Sequence, residues 1–261
     1  MTLYHEVEGE GPPVVFLHPG IADCQVWDPQ WSSFEGYRRI RLDLRGFGQS
    51  PVGQLPLTHA QDVAELLDQL GVARAALVGG SLGGRIALEL SIARPDLVHA
   101  LVLVDTGLPG LDWSAEVRAY GQAEDEAVAR GDLDSATELN LRMWVDGPNR
   151  AAGDVEPDVR EAVWTMQRRA FELQAPCWEE LDEDLLVDDV QDRLDEVAVP
   201  TLVLVGEEDV ADIRTVSARV AAEIPGARSA SIAGTAHVPS LERPADFDAL
   251  ALGFLGEVFA A

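Results

Sequence analysis

The 261-residue chain has no lysine: its 19 basic residues are all arginine, against 46 acidic ones, for a formal net charge of −27. So large a negative excess repels phosphate backbones and anionic lipid, and it excludes nucleic acid and membrane surfaces as expected partners. The missing lysine itself reads as the codon bias of a high-GC genome rather than as chemistry. Cysteine is almost as scarce. Cys24 and Cys177 are far apart and form no C-x-x-C pattern, so the expectation is two buried thiols in a reducing compartment, not a disulfide. No apolar run nears the roughly 20 residues that span a bilayer. The opening Met1-Thr2-Leu3-Tyr4-His5-Glu6 also lacks the basic-then-apolar order of a secretory leader, so the expected location is cytoplasmic. The acidic stretch 179–196 lacks calcium-loop spacing and reads as a solvated linker. No motif calls for a metal or an organic cofactor, and none is expected.

What is present, 47% hydrophobic and 25% charged residues, suits one large globular domain or a domain carrying an insertion. Its most informative stretch runs from Ala75 to Leu90. Ala75-Ala76-Leu77-Val78 reads as a buried strand. After Gly84 the pattern turns helical, with Ile86, Leu90 and Ala93 on one face and Pro95 beyond its end. Between them stands a G-x-S-x-G, Gly79-Gly80-Ser81-Leu82-Gly83. A strand-to-helix turn this tight strains the middle residue and leaves no room for bulk two residues to either side. It lifts the Ser81 hydroxyl above the sheet edge at a helix N-terminus, where unpaired N–H groups favour negative charge. Other glycine-loop chemistries do not fit: a G-x-G-x-x-G needs glycine at Ser81, and a P-loop needs Lys-Ser/Thr where Arg85-Ile86 stands.

Around this turn the chain alternates strands and helices. Leu3 to Glu8 predicts an antiparallel edge strand, and Val14-Val15-Phe16-Leu17 a central one ending in His18-Pro19-Gly20. Arg39-Ile40-Arg41-Leu42 is the next strand. Thr58-x-x-Gln61 reads as a capping box for a helix with Val63, Leu66, Leu67 and Leu70 on one face, ended by Gly71. Leu101 to Val104 is a buried strand ending at Asp105. Helices are then expected over Ala115–Arg130, Ser135–Val145 and Pro157–Leu173 with no strand between them. Alternation resumes with strands Thr201–Val205 and Arg228–Ile232 and helices Ile213–Ile224 and Pro244–Phe259. The expected fold is α/β, a mainly parallel sheet made by residues 1–107 and 197–261, with residues 108–196 inserted as a helical lid.

A serine hydroxyl is a weak nucleophile and needs a base, itself oriented by a third group. Of the five histidines, His5 precedes the core, His59 lies in a helix first turn, and His99 starts a strand. His18 and His237 follow strands, at the sheet edge where open α/β folds bind ligands. His18 reads as a loop-shaping residue, which leaves His237 as the base. For the acid, Asp209 is the first candidate, Asp105 the second and Glu208 the third. Ser81, Asp209 and His237 then run in the order nucleophile, acid, histidine.

Five motifs in that order resemble the α/β-hydrolase superfamily, in its group of small single-chain esterases and lactonases. They are His18-Pro19-Gly20, Asp43-Leu44-Arg45-Gly46-Phe47-Gly48-Gln49-Ser50, Gly79 to Gly84, Gly206-Glu207-Glu208-Asp209, and Thr235-Ala236-His237 through Pro244. Two positions depart from the family pattern: Pro19 follows His18 where glycine is usual, and Ala236 precedes His237 where glycine is usual. The resemblance implies Ser81 as nucleophile, His237 as general base and then acid, and Asp209 as its orienter. It implies oxyanion donors at the N–H of Leu82 and at Gly20 or Ile21. A serine nucleophile, where dehalogenases and epoxide hydrolases of this fold carry aspartate, argues against both of those activities.

The expected substrate is a small, neutral ester or lactone, because residues 108–196 carry 24 acidic residues against 8 arginines, a local charge of −16. An arginine among Arg85, Arg142, Arg168 and Arg169 turned into the pocket would reverse that preference. Trp27, Trp113, Met143, Trp144, Trp164, Met166 and Val238 are candidates for the pocket wall. Carbon–carbon bond hydrolysis and perhydrolysis by the same three residues are the catalytic alternatives. A ligand-binding module on a hydrolase scaffold is the non-catalytic one.

Overall fold

A computed structural model describes residues 3–260. Seven strands form one sheet: β1 (His5–Glu8), β2 (Pro13–Leu17), β3 (Arg38–Leu42), β4 (Ala75–Gly80), β5 (Val98–Val104), β6 (Thr201–Gly206) and β7 (Arg228–Ile232). Their order across the sheet is β1-β3-β2-β4-β5-β6-β7. β1 runs antiparallel to β3 at one edge, and every other neighbouring pair is parallel. Strands covered by helices on both faces must be apolar along their whole length, and all six residues of β4 are buried. The strand pattern expected from the sequence is therefore the observed one.

The helices are α1 (Asp28–Ser33), α2 (His59–Gln69), α3 (Leu82–Ala93), α4 (Ala115–Ala129), α5 (Leu133–Asn140), α6 (Pro157–Gln174), α7 (Ala211–Glu223), α8 (Pro239–Glu242) and α9 (Pro244–Ala260). One apolar layer joins α2 and α3 to the sheet through Val63, Leu67, Ile86 and Leu90. The other packs α9 on it through Phe247, Ala251 and Leu255. α4, α5 and α6 lie between β5 and β6, as the break in alternation predicts.

Four local expectations are corrected. Thr58 stands at the N-cap of α2 but makes no capping bond. Its hydroxyl accepts from Arg45 Nη2 at 2.8 Å and donates to Asp62 at 3.2 Å, so a buried guanidinium outcompetes the capping box. The helix expected to run from Ser135 to Val145 ends at Asn140 and continues as a π-helical turn, Leu141–Asp146. Both cysteines are free, yet only Cys24 is buried. Finally, residues 179–196 keep their acidic side chains solvated, Glu183 apart, but dock on the core instead of running free as a linker. Glu89, fully buried in α3, accepts the Leu186 N–H at 2.7 Å and pairs with Arg85. Arg85 also pairs with Glu183 at 2.6 Å, and Val187, Val190 and Leu194 enter the core.

Candidate active site

The turn from β4 into α3 holds Ser81 at φ 47° and ψ −107°, one of two non-glycine residues with positive φ among the described residues. This strain is held by close backbone approach. A side chain at Gly79 would overlap the Gly83 carbonyl, and one at Gly83 would overlap the Leu17 carbonyl of β2. The Ser81 N–H donates to the Val104 carbonyl at 2.8 Å, fixing the turn to the end of β5. As the first residue of α3, Leu82 has an N–H without a helical partner.

Gly20 faces Leu82: a Cβ built on it would lie 3.7 Å from the Leu82 side chain. Pro19 to Ala22 form a turn closed by the Ala22 N–H on the Pro19 carbonyl at 3.1 Å. The N–H groups of Gly20 and Ile21 take no part in that bond and remain as donors. His18 shapes this loop. Its ring is fully buried, its Nε2 accepts the Leu44 N–H at 3.0 Å, and its Nδ1–H donates to the Pro19 carbonyl at 2.9 Å. Burial pushes its pKa down and keeps it uncharged.

Asp209 lies in the turn after β6, fully buried, and accepts the Val210 N–H at 2.7 Å through Oδ1. Its Oδ2 accepts the Nδ1–H of His237 at 2.6 Å. The approach depends on Gly206, where any side chain would overlap the carbonyls of Thr235 and Ala236. With Nδ1–H committed to the carboxylate, Nε2 is the nitrogen left to accept a proton. The Ser81 hydroxyl makes no hydrogen bond to His237 in this structure; such contacts commonly tighten only when substrate is bound.

The other acid candidates do different work. Asp105, at the end of β5, also has positive φ (45°) and is fully buried. Its Oδ1 accepts the Gly206 N–H at 2.9 Å, tying β5 to β6, and its carboxylate lies within 4.8 Å of both Asp209 and His237. Burial, and then the charge of Asp209, push its carboxyl well above the usual carboxylate range. Glu208 turns the other way and accepts from Asn149 Nδ2 at 3.4 Å.

Of the expected wall residues, Trp144 lies against the site, its ring centroid 4.7 Å from that of His237. Its indole N–H donates to Tyr120 Oη at 3.1 Å, and Tyr120 donates to Glu124 at 2.6 Å. Trp113 packs edge-on against Trp144, and Met143 joins them in a cluster with Val117, Val210 and Ile213. Met166 and Val238 are buried in the apolar layer on the α9 face. Two expectations fail. Trp27 is wedged between Phe16 and Phe247 in the core, and Trp164 is 37% exposed in an outer hollow with Leu141 and Pro157. Sequence reasoning named neither Tyr120 nor Arg150, because Trp144 lies 24 residues from Tyr120 and Glu242 lies 92 residues from Arg150; Glu242 entered only as part of the motif that follows His237.

The family model described as alpha/beta hydrolase fold matches residues 12–244. A pimeloyl-[acyl-carrier protein] methyl ester esterase of Nitrosospira multiformis is 30% identical over 95% of each chain. A 2-hydroxy-6-oxo-6-phenylhexa-2,4-dienoate hydrolase of Comamonas testosteroni is 26% identical over 97% of this chain and 91% of its own. The solved structure of Est816, described as an N-acyl homoserine lactone degrading enzyme, is 28% identical over 97% of this chain and 96% of its own, with a TM-score of 0.75.

Proposed function

The chain belongs to the α/β-hydrolase fold family and is a hydrolase, and we propose that it cleaves small neutral carboxylic esters or lactones through an acyl-Ser81 intermediate. The observation that carries this reading is the buried 2.6 Å contact between Asp209 and His237. That contact fixes the imidazole with Nε2 available to take the Ser81 proton as the hydroxyl attacks the carbonyl. The oxyanion then meets the N–H of Leu82 and a second from Gly20 or Ile21, donors fixed before the reaction begins. His237 returns the proton to the leaving alcohol, and water repeats the cycle to free Ser81.

Residues 108–196 serve as the cap of this site. All eight arginines of the cap already have a carboxylate partner: Arg118, Arg130, Arg142, Arg150, Arg160, Arg168, Arg169 and Arg193. Arg85 is likewise held by Glu89 and Glu183. The least exposed of these guanidinium groups, those of Arg150, Arg160 and Arg85, are held by carboxylates of the chain itself, which supports a neutral substrate over an anionic one such as a dienoate. The free thiols fit a reducing compartment, so we place the protein in the cytoplasm. Among the described residues no helix is long and apolar enough to cross a membrane.

Labelling with a fluorophosphonate, followed by peptide mapping, tests the nucleophile. A single adduct on Ser81, absent in Ser81→Ala, is expected, together with loss of ester turnover in that variant. Turnover by Ser81→Ala at the wild-type rate would refute the mechanism.

A further inference from the structure

The cap is joined to the histidine loop by a buried ion pair that lies outside the three residues Ser81, Asp209 and His237. Arg150 follows the π-helical turn, and its side chain is 11% exposed; Glu242, its partner at the end of α8, is 6% exposed. The guanidinium donates to four oxygens. Two belong to the cap itself, the carbonyls of Val145 at 2.7 Å and Asp146 at 2.8 Å. The other two lie on the far side, the Gly234 carbonyl at 2.7 Å and Glu242 Oε2 at 2.6 Å. Glu242 Oε1 in turn accepts the Ala236 N–H at 2.7 Å.

These bonds account for most of the backbone just before and at His237. Gly234 and Ala236 are held by Arg150 and Glu242. The Thr235 carbonyl accepts the Glu208 N–H at 2.8 Å, and the His237 N–H donates to the Trp144 carbonyl at 3.1 Å. Gly147, at φ 74°, packs so close to the Glu208 carbonyl that any side chain there would overlap it. The cap segment 144–150 thus touches the loop of the acid and the loop of the histidine at once.

We propose that Arg150, a cap residue, is a positioning residue for His237: with Glu242 it clamps the loop at Gly234 and Ala236 and so sets where the imidazole sits. The inference rests on His237 being the general base. Arginine suits the task because its planar fork of five donors can satisfy several fixed acceptors together, whereas an ammonium is a point charge on a flexible stem. One consequence is that the cap is rooted to the loops of the acid and the histidine at 144–150.

The test compares fluorophosphonate labelling rates and steady-state ester kinetics, well below the melting temperature, for wild type, Arg150→Met, Arg150→Lys, Glu242→Gln and Arg168→Met. Misplacing a catalytic group by about 1 Å is worth on the order of a hundredfold in rate. Arg150→Met should therefore lose roughly 10- to 100-fold in labelling rate and in kcat while KM changes little. Arg150→Lys should recover part of the loss, and Glu242→Gln, which keeps the side chain's shape, should fall between. Arg168→Met breaks cap pairs with Asp134 and Glu172 that reach neither loop, and it should match wild type. Should Arg150→Met fail to fold, Glu242→Gln carries the comparison alone. Wild-type rates in both variants, even with a lowered melting temperature, would overturn the inference. Wild-type protein that takes no label on Ser81 would instead overturn the triad reading beneath it.

Discussion

Two buried aspartates stand within reach of one histidine, and the geometry divides the labour between them. Asp209 accepts the histidine proton at 2.6 Å, while Asp105 accepts a backbone N–H and is pushed toward its protonated form by burial and by the charge beside it. Asparagine mimics a protonated carboxyl in shape and donor capacity but cannot replace a carboxylate. Asp209→Asn should therefore lower kcat by roughly a thousandfold or more, whereas Asp105→Asn should leave most of the activity. The opposite ranking in an ester assay would move the catalytic acid to Asp105. The pH dependence has a definite sign. In the unfolded chain Asp105 releases its proton near the ordinary value of about 3.9; in the folded chain it holds that proton to higher pH. Between those two values the unfolded state binds fewer protons than the folded one, so Asp105 removes stability as pH rises through that window. Asp105→Asn should melt higher than wild type at neutral pH, with the gain vanishing toward pH 4. A gain independent of pH would show that the folded carboxyl is ionised.

At the scale of elements, local chemistry explains what was legible. The strand–turn–helix around Ser81 is specified within a few residues: an apolar run, glycines where the backbone of β2 and α3 approaches, and a helical period after it. The succession of strands along the chain and the antiparallel first strand followed from the same alternation, whereas their order across the sheet did not. The π-helical turn and the docked stretch after α6 were not legible, because their partners are distant in sequence. The Trp144 carbonyl meets the N–H of His237, and the Leu186 N–H meets the carboxylate of Glu89, 97 residues earlier. Reading the acidic residues there as solvated held except at Glu183, which is bound by Arg85. This element carries its own prediction. Glu89→Ala leaves two backbone N–H groups, those of Leu186 and Val187, without their acceptor and removes one partner of Arg85. The loss should be about 2–4 kcal/mol, concentrated in residues 182–190. Limited proteolysis should cut that stretch in the variant before the rest of the chain unfolds. Equal protection in variant and wild type would mean that Val187, Val190 and Leu194 hold the segment unaided.

The whole molecule acts on its substrate through charge before any contact forms. The chain carries −27, and −16 of it belongs to residues 108–196, which we place over Ser81. Anionic substrates therefore approach against a repulsive field, and neutral ones do not feel it. Salt separates the two cases, because the Debye length falls from about 30 Å at 0.01 M to about 3 Å at 1 M. A pair of methyl esters of similar size, one of a neutral acid and one the monoester of a dicarboxylic acid, makes the comparison. At low salt kcat/KM should favour the neutral ester, and the ratio should narrow as sodium chloride is raised, through a rise for the anion alone. The direction also separates field from recognition: a carboxylate-binding arginine would make the anionic ester the better substrate at low salt, and salt would weaken it. Since the least exposed arginines of the cap, Arg150 and Arg160, are held by Glu242 and Asp146, and the cap's net charge is negative, the first behaviour is expected. The second would reject the neutral-substrate reading while leaving the triad untouched.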